Sequence, residues 1–415
     1  MPAPLRTADR RDRDDRVIVV GAGPVGLVLT LKLVQSGVPV TLLEAIPQAE
    51  FSNQMARAGS NHPATLQMYA ALGLYDRLEA RGLKAPTFQY WDRATGALIA
   101  EFDHALIADA TPYPCVLQCE RIKICEEALA LVSRHELCDL RMGTPFVALA
   151  QGADGVEAQV TANDGTTERI RGRYLVSAEG ARSIVRKSLG IDFAGFTYPD
   201  RTLNVTVAHD FARNGYSHRN YISDPGEWMN LFHWAGPPQV WRVHFHTDPG
   251  ADEDALLAPE NCERALQRFL PKDTSYDIRG ARLFTIHQRV ASRFRSGRAI
   301  LAGDAAHVNS PIGGMGLNSG VHDAMNLGEK LVRIWRGDGD ETLLDLYERQ
   351  RRTIALEHVQ AQTIRNKKLL TEQDPQVRRR NHDELRRTAE TPRLAREFLL
   401  RASMIRSLEQ ANAIT

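Results

Sequence analysis

The apolar positions of this chain change their period several times, and each change marks an element. Val17 to Val20 is an all-apolar run that enters a glycine-rich turn, and from Leu27 to Leu33 the apolar residues recur at helical spacing. Gly37 closes that helix and Val40 to Leu43 is a second apolar run, so the chain opens on a strand–helix–strand unit. The pattern predicts helices over 63–74, stopping at Gly73, and over 121–133. It also predicts short strands over 146–150 and 156–161, with a hairpin turn at Asn163, Asp164, Gly165 and Thr166. Alternating, proline-broken stretches over 85–114 read as sheet with loops, and the aromatic and β-branched residues of 202–247 read as an antiparallel sheet. A helix over 262–269 follows, then a strand at 299–301 that leads into a second glycine-rich loop. From Leu317 onward the spacing is helical, with breakers expected at Pro375 and Pro392.

At 415 residues the chain is longer than one core usually serves. Its 43% hydrophobic and 25% charged residues suit a soluble protein, and no apolar run approaches the length of a membrane span. A net charge of +1 gives no reason to expect nucleic acid, and the arginine-rich stretch at 378–380 is balanced by nearby acids. The mixed-sign run before Val17 predicts a disordered tail over 1–16, not a signal peptide. Five cysteines, an odd number, argue against a disulfide framework and for a reducing, cytoplasmic location. Cys115, Cys119, Cys125 and Cys138 lack the paired spacing of a zinc knuckle, so no metal site is expected.

The chemistry enters at the two glycine-rich loops. Gly21, Gly23 and Gly26, with Pro24 and Val25 between them, form a G-x-G-x-x-G turn between strand and helix. There a backbone without side chains lets a pyrophosphate approach the helix N-terminus. Glu44, followed by Ala45, ends the second strand 18 residues after Gly26, where a carboxylate accepts from a ribose hydroxyl. This motif alone does not separate NAD from FAD. The second loop carries Gly303 and Asp304, then Pro311, Gly314, Met315, Gly316, Leu317 and Asn318. An aspartate at a strand end suits a polyol, and a glycine-rich helix start aims N–H groups at a carbonyl or a developing anion. Two such loops far apart in sequence fit an elongated ligand with the parts of flavin adenine dinucleotide.

With these loops, Arg57-Ala58-Gly59, Gln118 and the stretch from Ala178 to Arg186, the sequence resembles the group A flavoprotein aromatic hydroxylases along nearly its whole length. The resemblance implies an α/β fold in which an FAD-binding Rossmann-like domain (17–84, 115–192 and 286–335) is interrupted by a mixed β-sheet substrate domain (85–114 and 193–285). A helical C-terminal region occupies 336–415. It implies that Arg57 neutralises pyrophosphate, that Gln118 bonds the ribityl or ribose, and that Asp304 holds a ribityl hydroxyl. The Gly314 to Gly316 backbone would meet the flavin pyrimidine edge. Glu179 and Gly180 belong to a motif that touches both flavin and nicotinamide nucleotide, with Glu179 standing where the family has aspartate.

On the substrate side, a looser match to the para-hydroxybenzoate hydroxylase branch places Tyr221 on the substrate phenol and Arg242 near the flavin. Phe232, Trp234 and His244 would line the same pocket, with Pro311 beside the reacting centre. Trp234 stands where that branch has an arginine for the substrate carboxylate. His244 and His246 are two apart on a strand and so share a face, too few ligands for a metal. The implied activity is hydroxylation of a small phenol or hydroxylated heteroaromatic, using NADH or NADPH and O2 through a flavin C4a-hydroperoxide. The chain has no second glycine fingerprint for the nicotinamide, which predicts transient binding. A flavin reductase, a Baeyer–Villiger oxygenase and a non-catalytic redox sensor stay open on the same scaffold, as does a homodimer.

Overall fold

The computed structural model describes residues 15–53, 59–236 and 239–415. Most of the expected tail therefore lies outside the described residues, but Arg16 is fastened down, its Nη1 donating to Thr41 Oγ1 at 2.7 Å. The first sheet has the strand order Arg295–Ser296, Ala299–Leu301, Tyr174–Ser177, Val17–Val20, Val40–Leu43, Cys138–Arg141, and only the first pair is antiparallel. Its inner strands are buried throughout, which explains why they read as unbroken apolar runs. Helix Pro24–Gln35 packs against helix Arg121–Val132 and against the long helix Met315–Arg336. A parallel sheet fed from three distant stretches of chain is the result.

The second large sheet has eight strands, in the order His307–Val308, Ile278–Ala291, Phe193–Val207, Val240–His246, Met229–Trp234, Arg219–Ser223, Thr87–Asp92, Ala97–Asp103. It is antiparallel except where Arg219–Ser223 runs parallel to Thr87–Asp92. Strand Ile278–Ala291 was not foreseen, because Arg279, Gly280, Arg282 and Arg289 break up the alternation that marks a strand. One face of this sheet presents Leu203, Val205, Leu231, Val243 and Phe245 to Ala265 and Leu266 of helix Pro259–Phe269. On the other face Tyr221, Phe232 and Trp234 join Phe88 and Phe102 in a cluster with Leu370, Leu385 and Leu399. The C-terminal helices thus roof the aromatic face of the sheet.

Two sequence expectations need correction. The helix expected over 63–74 stops at Ala71, and a short helix, Tyr75–Glu79, follows. Pro375 and Pro392 do not break helices but begin them, at Pro375–Glu390 and Pro392–Ala402. The first turn needs no N–H from proline, and Asp374 caps the earlier helix by accepting from Gln376 N and Val377 N. All five cysteines are unpaired, and burial pushes Cys119, Cys125 and Cys138 up to about 12. Among the described residues no helix is long and apolar enough to cross a membrane.

One buried carboxylate ties the second glycine loop to the helices behind it. Asp323, on helix Met315–Arg336, accepts from Gly303 N at 2.9 Å, His307 Nε2 at 2.8 Å and Arg351 Nε at 2.6 Å. Burial raises its pKa, but His307 and Arg351 outweigh that and hold it at about 2. A depressed carboxylate adds stability above its unfolded pKa, and that contribution is lost as pH falls towards 2. Asp323→Ala is expected to destabilise the protein by about 3–5 kcal/mol, because it strands the fully buried Arg351. Urea unfolding at neutral pH measures this; a loss below about 1 kcal/mol would show that the network is dispensable.

Candidate active site

Two cavities meet at the second glycine loop. The larger, about 400 Å³, is lined by Gly23, Pro24, Val25 and Glu44 on one side, by Glu179, Gly180 and Asp304, and by Pro311, Gly314, Gly316 and Leu317 on the other. Two helices begin at its wall, Pro24–Gln35 and Met315–Arg336, and neither carries a side-chain cap. Their first N–H groups and the positive ends of both helix dipoles are therefore free for an anion. Gly314 takes the left-handed conformation, φ 72°, that turns the loop into the second helix.

Supporting bonds fix this wall. Glu44 accepts from Ala22 N at 2.7 Å and Ile46 N at 2.9 Å, which aims the carboxylate while leaving lone pairs for a ligand hydroxyl. Asn318 does not turn its side chain to a ligand: Oδ1 accepts from His62 N at 2.8 Å, and Nδ2 donates to Ser60 O and Gly314 O at 2.7 and 2.6 Å. Glu179 spends its carboxylate on capping helix Ile184–Ser188, accepting from Ser183 Oγ at 2.7 Å and Val185 N at 3.1 Å. Gln118 accepts from Ser60 Oγ at 2.6 Å, and its Nε2 is buried with no acceptor among the described residues. Asn309, which lines the cavity, likewise has a buried Oδ1 without a donor. Such orphans fit a polar ligand, and with the two helix starts they fit a dinucleotide of the FAD type.

Other expected cofactor residues stand elsewhere. Arg57 lies outside the described residues. Gly21 and Gly26 form the turn behind the wall, Ala45 is exposed while Ile46 lines the cavity, and Arg242 pairs with Glu120 and lies 4.6 Å from the Trp234 ring centre. Arg121 lines the cavity and went unnoticed in the sequence. It opens helix Arg121–Val132 directly after Glu120, and nothing in the local sequence pattern sets it apart from an ordinary first-turn arginine.

The smaller cavity, about 30 Å³, lies against the other side of the loop, where Gly313 and Met315 form its wall. Phe88, Tyr90, Tyr221 and Phe398 supply aromatic surface, and Tyr90 stacks on Tyr221 with ring centres 5.2 Å apart. Five polar residues absent from the sequence reading complete it: His62, His104, Arg219, Gln362 and Asn366. His62 Nε2 lies 2.7 Å from Gly313 O and His104 Nδ1 lies 2.7 Å from Pro86 O. A carbonyl only accepts, so each of these nitrogens carries the proton and each ring keeps its other nitrogen as an acceptor. Burial first, with the nearby charge of Arg219, lowers His62 to about 3 and His104 to about 4.

Of the substrate-side residues expected from sequence, only Tyr221 lines this cavity, while Pro311 lines the cofactor cavity. Phe232 stands edge-on behind Tyr221 at 5.8 Å, and His244 sits between Phe232 and Phe284 at 5.6 and 6.1 Å. His244 does share a face with Tyr221, through the pairs Tyr221–Asn230 and Asn230–His244. Two strand spacings nevertheless separate them, roughly 10 Å. Trp234 lies under Arg242, away from the small cavity.

Residues 14–362 match the family model described as FAD binding domain. The chain is 33% identical over 394 residues to para-nitrophenol 4-monooxygenase of Pseudomonas sp. (strain WBC-3), covering 93% of this chain and 94% of that protein. The crystal structure of p-nitrophenol 4-monooxygenase PnpA from Pseudomonas putida DLL-E4 superposes with a TM-score of 0.88 at 31% identity, over 96% of this chain and 98% of that one. The flavin-dependent monooxygenase PieE, in complex with FAD and substrate, matches with a TM-score of 0.76 at 26% identity, over 96% and 73% of the two chains.

Gly23 and Gly26 separate ligand space from protein space. A Cβ on Gly26 would lie 1.9 Å from Gly21 O, whereas one on Gly23 meets no protein atom within 4 Å. Gly23 also has φ −69°, open to any residue. Gly26→Ala is therefore expected to destabilise the apoprotein by at least about 3 kcal/mol. Gly23→Ala should leave apoprotein stability within about 1 kcal/mol yet weaken FAD binding at least about tenfold. Thermal unfolding and flavin titration check both, and unchanged FAD affinity in Gly23→Ala would move the pyrophosphate away from this turn.

Proposed function

This chain belongs to the FAD-binding-domain family and is an FAD-dependent aromatic monooxygenase, and from that premise we propose that it hydroxylates a small phenol in the aromatic pocket, with NADH or NADPH as transient reductant and O2 as co-substrate. The observation that carries this reading is the shared wall. Pro311 and Gly314 face the large cavity while Gly313 and Met315 face the small one, so a ring in the second lies beside a ligand whose reactive end is in the first.

FAD, when bound, takes electrons from the reductant and delivers an oxygen atom from O2. The protein binds, orients and excludes water. The start of helix Pro24–Gln35 would hold the FAD pyrophosphate, Glu44 a ribose hydroxyl, and Asp304 and Gln118 the ribityl chain. The uncapped start of helix Met315–Arg336 would offer its N–H groups to negative charge at the flavin pyrimidine edge.

Phe88, Tyr90 and Phe398 hold the substrate ring by its faces and edges. Its hydroxyl takes a hydrogen bond from Tyr221, whose oxygen already accepts from Arg219 Nη2 at 3.0 Å, leaving the tyrosine proton free to donate. The unprotonated nitrogens of His62 and His104 accept from the substrate. At about 3 and 4 these imidazoles are weak bases, so they orient a phenol without taking its proton outright. A free volume of about 30 Å³ admits a water and no ring, so entry requires Met315, Phe398 and their neighbours to yield.

Phenols that fit should stimulate NAD(P)H oxidation by the FAD-loaded protein. Tyr221→Phe is expected to keep FAD and its reduction but to release hydrogen peroxide in place of product, lowering the coupled fraction at least about tenfold. Parallel assays of NAD(P)H, peroxide and product decide it. Coupling equal to the parent's would place the substrate outside this pocket.

A further inference from the structure

Arg219 is the one cation of the small cavity, and no acid answers it among the described residues. It is 3% exposed, its Nε is buried without a partner, and its Nη2 donates to the neutral Tyr221 hydroxyl. Around it lie the rings of Phe88, Tyr221 and Phe232, with centres 5.7, 6.0 and 5.9 Å from its guanidinium carbon. The charge elsewhere on this sheet face is handled differently: Arg242 pairs with Glu120, and Asp200 accepts from Lys367 Nζ at 2.7 Å. Ring faces recover only part of the hydration a guanidinium loses on burial, and a buried cation without a counter-ion is strongly destabilising.

The titratable groups facing Arg219 do not supply the missing charge. His62 and His104 come from the turn before helix Pro63–Ala71 and from the segment after strand Ala97–Asp103, and both are locked as neutral donors to backbone carbonyls. Tyr90, on strand Thr87–Asp92, is a buried phenol that burial pushes further up. The C-terminal helices bring only neutral groups to the cavity, Gln362, Asn366, Phe398 and Ala402. Nothing in the lining is an anion.

We propose that Arg219 makes this pocket selective for an aromatic ring that carries an oxyanion, which supplies the counter-charge the protein withholds. This rests on the small cavity being the substrate site. The guanidinium offers N–H donors in a planar fork, suited to a phenolate oxygen or to a ring carboxylate. In either form the ring must bring its negative charge with it, in addition to the contact with Tyr221, because the histidines of the pocket are too weakly basic to create that charge.

The test titrates the FAD-loaded protein with two pairs of a charged and a neutral ring, following flavin absorbance. Para-hydroxybenzoate against para-hydroxybenzamide probes a carboxylate. Para-cyanophenol, at a pH where it is ionised, against its methyl ether probes a phenolate. The anion of at least one pair should bind about tenfold to a hundredfold more tightly than its neutral partner, and the pair that discriminates identifies the source of the charge. Arg219→Gln should abolish that preference by weakening the anion far more than the neutral ring, and Arg219→Lys should restore part of it. Equal affinity for charged and neutral rings in the parent, or equal losses for both in Arg219→Gln, overturns the proposal while leaving the pocket as the substrate site. If no ring perturbs the flavin of FAD-loaded protein, the pocket itself is misassigned and both readings fall.

Discussion

Two helices start at one cavity without side-chain caps, and the surrounding structure is arranged to keep those ends open and aimed. The first four N–H groups of a helix need partners, and here the protein supplies few of them at Pro24–Gln35 and Met315–Arg336. A ligand with negative charge at two separated points satisfies both. Asp323 and Asn318 spend their side chains on positioning: the first holds Gly303 and His307, the second holds Ser60, His62 and Gly314. Neither lines the cavity itself, yet both decide where its wall stands.

The same loop sets up the second cavity with a different source of positive charge. Around the larger cavity the donors are backbone groups at helix ends, with Arg121 beside them. In the smaller one a full cation, Arg219, lies in an aromatic box with two neutral imidazoles. Gly313 links the two, since its carbonyl fixes the protonated nitrogen of His62 while its neighbour Gly314 begins the helix that faces the cofactor. A shift of this loop would therefore disturb cofactor and substrate sites together, and the close fit explains why the small cavity has so little free space before a ring enters.

Legibility in the sequence followed the range of the interactions. The turn at Gly21, Gly23 and Gly26 and the loop at Gly303 are local, so their strand–turn–helix context could be read directly. The role of Asn318 could not, because its partner shows only in the folded chain, His62 being 256 residues away; Glu179 departs from the rule, since its partners Ser183 and Val185 are local. His244 illustrates the boundary well: its face follows from the two-residue period of a strand, but its distance from Tyr221 depends on strand order, which period does not encode. The small cavity draws His62, His104, Arg219 and Asn366 from four separate elements, so no local pattern announced it. Proline at 375 and 392 shows one local constraint with two outcomes, since a fixed φ ends one helix or starts the next with equal ease.

The central claim is that a ring held against this loop receives an oxygen atom from O2. FAD-loaded protein given NADH or NADPH and a phenol that stimulates their oxidation, under isotopically labelled O2, tests it most directly by product mass. The account predicts one labelled oxygen atom in each hydroxylated product, with the ring retained. Consumption of the nicotinamide with no label in any aromatic product would contradict it and leave a flavin reductase.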